Sequence, residues 1–133
     1  MINNEIIKIA SNTKNVGLTN IYSFKSSLKN SICGDKIKLE LIVKKSKINS
    51  MKYETESCVY CEASASLLAT KIKNLNIATI IKELSLLKKI VKDEKHNFPY
   101  NFKDFKVLIN KNNLSRINCI NLPFDAVLKA LEQ

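Results

Sequence analysis

The chain has 133 residues, 45% of them hydrophobic and 26% charged, with a formal charge of +10. That length and balance suit a single domain over residues 1–133 with its own core, and they exclude collagen-like and disordered classes. No apolar run nears the roughly 20 residues of a membrane span, and Met1-Ile2-Asn3-Asn4-Glu5 carries no basic n-region, which argues against a secretory signal and for a cytoplasmic chain.

In chain order, residues 3–11 put Ile6, Ile7 and Ala10 on one helical face, which predicts a short N-terminal helix. Residues 20–29 fit more than one element; read as a strand, they line Tyr22, Phe24 and Leu28 along one side. Ile37, Leu39, Leu41 and Val43 alternate with Lys36, Lys38, Glu40 and Lys44, the pattern of a half-buried strand. Residues 44–47 form a polar turn, after which Met51, Tyr53 and Thr55 alternate with Lys52, Glu54 and Glu56. Beyond Cys58 the period changes. Residues 62–73 are rich in helix-compatible small residues, and an apolar stripe from Ile77 to Val91 predicts a helix over 77–92. Residues 93–101 break it and contain His96, read as a solvated loop residue. A short helix is expected over 102–110, a loop at Lys111-Asn112-Asn113, and a last helix with Pro123 near its start. The order predicts an α+β fold: a small three-stranded antiparallel sheet with helices packed on one face.

The charge invites a nucleic-acid reading. All but one of the 22 basic residues are lysine, however, Arg116 being the exception. Lys, Ile and Asn share A/T-rich codons, so base composition explains much of the surplus. With no Trp and no Arg forks, nucleic acid is not expected as the main partner, whereas acidic protein partners suit the surface. Two other function classes stay open at this point: a basic nucleic-acid-binding module and a zinc-stabilised interaction domain.

Chemistry concentrates in four cysteines. Without a leader, they read as reduced thiols available for metal or redox work. Cys33-Gly34-Asp35 precedes the clearest strand, and the glycine permits a tight turn that aims thiol and carboxylate together. Cys58 lies where strand gives way to helix and Cys119 just before the last helix, settings that favour thiolate. Cys58-Val59-Tyr60-Cys61 is a Cys-x-x-Cys; it has no second copy to complete a zinc ribbon, and the antiparallel meander argues against a thioredoxin-like unit. Arg116, three residues before Cys119, can stabilise a thiolate or pair with Asp35.

The segments 30–39, 58–66 and 116–124 resemble, in order, the three cysteine motifs of the iron–sulfur scaffold family that comprises the IscU, SufU and NifU N-terminal group, and Asn15-Val16-Gly17 resembles its early Asn-x-Gly. The resemblance implies a SufE/NifU-like fold. It implies Cys33, Asp35, Cys58 and Cys119 as ligands for iron, a nascent [2Fe-2S] cluster or Zn²⁺. It also implies a cysteine desulfurase and apo iron–sulfur acceptor proteins as partners. Such a chain is a non-enzymatic scaffold or a zinc-dependent sulfurtransferase partner of the desulfurase. The insertion-like residues 95–115, Asn118 where IscU has His, and the absence of Pro-Pro-Val-Lys point to the SufU type, in which Arg116 matches the arginine carried three residues before the last ligand. On that reading Cys119 accepts persulfide while Arg116 steadies the ligand set. Ser57 replaces the usual glycine, and Cys61 replaces a small residue, so Cys61 receives no role from the resemblance and stays open as a competing ligand.

Overall fold

The structure, a computed structural model, describes residues 3–90 and 97–132. His96, Val91 and Lys92 lie outside the described residues. Three strands, β1 (Phe24–Lys29), β2 (Lys36–Lys44) and β3 (Lys47–Glu56), form an antiparallel sheet in the order β1-β2-β3. Leu39 pairs with both Ser26 and Tyr53, and Leu41 with Phe24 and Met51. Since side chains alternate across a strand, Phe24, Leu28, Ile37, Leu39, Leu41, Met51 and Tyr53 share one face. The opposite face carries Lys25, Lys29, Lys36, Lys38, Lys52 and Glu54. The β2–β3 turn places Lys45 and Ser46 at φ 52° and 64°; two successive left-handed residues match the twist of a tight hairpin.

The apolar face is covered by helices, as the α+β reading expects. α2 (Val59–Lys71) lies against β3, and α4 (Ile117–Leu131) crosses β1 and β2. α1 (Asn4–Ala10) packs on α2, and α3 (Ile77–Ile90) on α4. Asn3 caps α1 by accepting from the Ile6 amide at 2.9 Å. Phe102, Phe105 and Phe124 fill the space between the helices, with the rings of Phe105 and Phe124 edge to face at 5.1 Å.

Several expectations change. Ile7 is exposed while Ile6 is fully buried, and Tyr22 lies outside β1. Residues 102–110 are mostly a 3-10 segment, Tyr100–Val107, and the expected loop at 111–113 opens a second, Lys111–Arg116. Pro123 does not start the last helix; α4 begins at Ile117 and Pro123 sits inside it. Proline has no amide to give residue i−4, so the Cys119 carbonyl lacks its ordinary helical donor.

Candidate metal centre

Cys33 and Asp35 come from the β1–β2 connection. Its shape is fixed by three hydrogen bonds: the Gly34 amide donates to the Asn30 carbonyl at 2.7 Å, the Asn30 amide to the Asp35 carbonyl at 2.8 Å, and the Ile32 amide to Asn30 Oδ1 at 2.9 Å. Gly34 has φ +77°, which a side chain would strain. The loop leaves Cys33 exposed and folds Asp35 inward to 6% exposure.

Cys58 is the N-cap of α2, which starts at Val59 rather than at Glu62 as the sequence suggested. Asp35 Oδ1 accepts from the Cys58 amide at 3.2 Å, and Oδ2 accepts from its thiol at 3.5 Å. One carboxylate thus satisfies an orphan amide at the helix start and holds the neighbouring sulfur. Cys119 lies in the first turn of α4, three residues after the N-cap Arg116, and not before the helix. Its Sγ is 3.4 Å from Cys33 Sγ. The ligand atoms of Cys33, Asp35 and Cys119 all lie within 4.8 Å of one another.

Cys33, Asp35 and Cys119 therefore converge, and Cys58, outside that trio, joins it through Asp35. Burial, then hydrogen bonds to Cys33, Asp35 and Cys58, push the Cys119 thiol far above its usual range. Crowded acids keep their protons, and a soft cation among them would reverse that preference. Three sulfurs and one oxygen are a donor set that fits Zn²⁺ or iron.

A profile of the NifU-like N terminal domain matches residues 1–112. The chain belongs to the NifU-like N-terminal domain family. The matched span includes Cys33, Asp35 and Cys58; Arg116 and Cys119 follow it. A curated relative, the zinc-dependent sulfurtransferase SufU of Bacillus subtilis (strain 168), is 26% identical over 121 residues, covering 90% of this chain and 82% of that protein. Among solved structures, the N-terminal part of a nitrogen-fixing NifU-like protein from Brucella abortus superposes with a TM-score of 0.88 at 18% identity, covering 98% of this chain and 91% of that one. A putative iron–sulfur cluster assembly scaffold protein for the SUF system from Fervidobacterium islandicum AW-1 gives 0.81 at 21% identity, covering 98% and 96%. These likenesses establish the three-stranded α+β fold.

Within this NifU-like domain two site neighbours depart from or add to the sequence reading. The Arg116 guanidinium does not pair with Asp35; it sits 5.7 Å from the centroid of the Tyr60 ring, inside the Cys-x-x-Cys. Cys61, three residues after Cys58, is fully buried, and burial pushes its thiol up to about 12, the Ser57 hydroxyl opposing. Like Cys58 it lies outside the three donors that are within 4.8 Å of one another, but unlike Cys58 it has no hydrogen bond to Asp35. Tyr60 was not a sequence candidate; the signal was its place between the cysteines, which spacing alone does not orient. Asn15-Val16-Gly17 adds to the β3 edge through the Gly17 amide and the Tyr53 carbonyl at 2.8 Å, bracing the strand that leads to Cys58.

Proposed function

We propose that this chain is a scaffold or sulfur carrier of iron–sulfur cluster assembly, in which Cys33, Asp35, Cys58 and Cys119 hold a thiophilic cation. The carrying observation is the 4.8 Å cluster drawn from segments far apart in sequence, with Cys58 hydrogen-bonded into it. Bound Zn²⁺ would supply charge that keeps the thiols as thiolates near neutral pH; an iron–sulfur cluster is the cargo of the same donors.

The chain's own residues supply the sulfur route. Cys33 is exposed, whereas Cys119 is 3% exposed behind it. Burial argues against Cys119 as the first acceptor, so sulfur enters at Cys33. The Cys33 thiolate attacks the outer sulfur of the desulfurase persulfide; that S–S bond breaks and the desulfurase cysteine leaves as thiolate. Cys119, 3.4 Å away, then takes the outer sulfur by the same exchange and frees Cys33. Arg116, at the head of the helix that carries Cys119, steadies the thiolates exposed during these steps. Partners are a cysteine desulfurase and apo iron–sulfur acceptors, and the setting is the cytoplasm, where thiols stay reduced.

The test is anaerobic purification with metal and acid-labile sulfide analysis, followed by mass spectrometry after incubation with desulfurase and cysteine. Stoichiometric metal and a persulfide adduct that Cys33→Ser abolishes, but Cys119→Ser retains on Cys33, are expected. Tight Zn²⁺ with neither sulfide nor persulfide overturns the reading in favour of a purely structural zinc domain.

A further inference from the structure

Cys61 has no part in the proposed ligand set, yet it is a buried thiol placed with care. Cys58 is the N-cap of α2 and Cys61 its third helical residue. An N-cap side chain is directed toward the backbone of that third residue, where Ser or Asp would bond its amide. Cys58 makes no such cap bond; its sulfur is turned to Asp35 instead. By that general geometry, rotation about its Cα–Cβ bond would carry the sulfur from Asp35 toward residue 61 with the helix backbone unchanged. The first turn is closed by the Glu62 amide on the Cys58 carbonyl at 3.1 Å, so the spacing of the two residues is set in advance. Access differs as well: Cys58 is half-buried and Cys61 has no exposure. Of this pair, an oxidant from solvent meets Cys58 first.

We propose that Cys58 and Cys61 form a reversible disulfide under two-electron oxidation by hydrogen peroxide, with Cys61 as the resolving thiol. The Cys58 sulfur attacks the peroxide O–O bond and becomes a sulfenic acid; the departing hydroxide takes the Cys58 proton and leaves as water. The Cys61 sulfur then displaces the hydroxyl from the sulfenic sulfur, and its own proton leaves with that hydroxyl as a second water. Peroxide is reduced, two thiols are oxidised, and an added dithiol reverses the reaction. Cys33 and Cys119, already 3.4 Å apart, are the matching second pair. Four thiols thus divide into two disulfides and none is left to over-oxidise. Loss of Cys58 as a metal ligand also follows, and this consequence alone rests on the reading above.

The experiment treats the reduced, metal-free full chain with hydrogen peroxide, alkylates free thiols after denaturation, and maps the peptides. A Cys58–Cys61 linkage that a dithiol removes is expected. In Cys61→Ala the linkage is lost and Cys58 becomes trappable by dimedone, then resists the dithiol as a sulfinic acid. Cys58→Ser, which leaves the buried helix face untouched, keeps Cys61 alkylatable after the same treatment. Recovery of Cys61 as free thiol beside an oxidised Cys58 overturns the proposal, as does its linkage to Cys33 or Cys119. A second arm reads metal release from loaded protein with a chromogenic chelator. Release that accompanies the mapped Cys58–Cys61 disulfide while Cys33 and Cys119 still alkylate supports the ligand role of Cys58; that disulfide without release overturns the role and leaves the disulfide standing.

Discussion

Asp35 carries two tasks that two different measurements separate. Its carboxylate accepts from the Cys58 amide and thiol, and it is the one oxygen in the proposed donor set. Oxygen is the harder and weaker partner for zinc or iron, so it favours release of whatever the thiols hold. Asp35→Ala is expected to slow cluster transfer to an apo acceptor several-fold, followed by visible absorbance; transfer that is unchanged or faster removes the argument. The same change strips an amide acceptor at the α2 start and is expected to cost about 1 kcal/mol in urea unfolding. Glu40 gives a contrast away from the site. Strand alternation assigns it to solvent, yet it is 4% exposed. Its carboxylate accepts from the amides of Thr19 and Asn20 at 2.8 and 2.9 Å and so pins the loop that covers it. Glu40→Ala is expected to lower unfolding free energy by about 1–3 kcal/mol with metal content unchanged. Nothing in a 2-residue period signals such a bond, because its partners lie some 20 residues away in an irregular segment.

The α2–α4 contact sets the distance between Cys58 and Cys119, since each cysteine rides on the first turn of one helix. Ser64 of α2 is fully buried and its hydroxyl donates to the Ile120 carbonyl at 2.7 Å, one residue beyond Cys119. Ser64→Ala leaves that carbonyl with less partnering in a dry contact. It is expected to cost about 1–2 kcal/mol and to weaken metal retention in a competition with a chromogenic chelator; unaltered retention would show that the contact does not position the site. The strands, by contrast, were legible from sequence because a half-buried sheet writes its period directly into β2 and β3. The Cys33-Gly34-Asp35 turn was legible for a related reason, one glycine between two donors. The start of α4 was not: proline is a good first helical residue, and Pro123 drew the boundary six residues too late. What keeps Pro123 inside the helix is burial among the core residues around it, and burial is a property of the folded molecule. Arg116 shows the same limit. Its place near Cys119 was readable, but its seat on Tyr60 depends on how two helices meet.

At the scale of the whole molecule, buried thiols make stability depend on pH in a defined sense. Cys61 titrates from 9.0 in an unstructured reference to about 12 in the fold, chiefly through burial, and Cys119 is shifted in the same direction. A raised folded value means that the unfolded chain loses its proton first. The stabilising contribution of Cys61 is therefore complete below pH 9 and is lost as pH rises toward 12, at about 1.4 kcal/mol per pH unit, and Cys119 acts in the same sense. Urea unfolding of the reduced, metal-free chain is expected to weaken above pH 9, and Cys61→Ala to flatten part of that slope; an unchanged slope would remove Cys61 as its cause. The metal itself stands in a different relation to the fold. The core runs continuously from Ile6 through Leu39, Leu68 and Leu84 to Ala130, and of the proposed ligands only Cys119 belongs to it. Cys33 and Asp35 sit on a loop whose shape is already fixed by its own hydrogen bonds. Chelation is thus expected to leave the far-ultraviolet circular dichroism of the protein intact. Metal that binds only the folded chain still adds to stability by mass action, about 3–4 kcal/mol at free concentrations 100- to 1,000-fold above the dissociation constant. The melting temperature should fall on chelation and return when metal is restored. Collapse of the helical signal in the chelated protein would mean that the ion builds the fold, which the continuous core argues against.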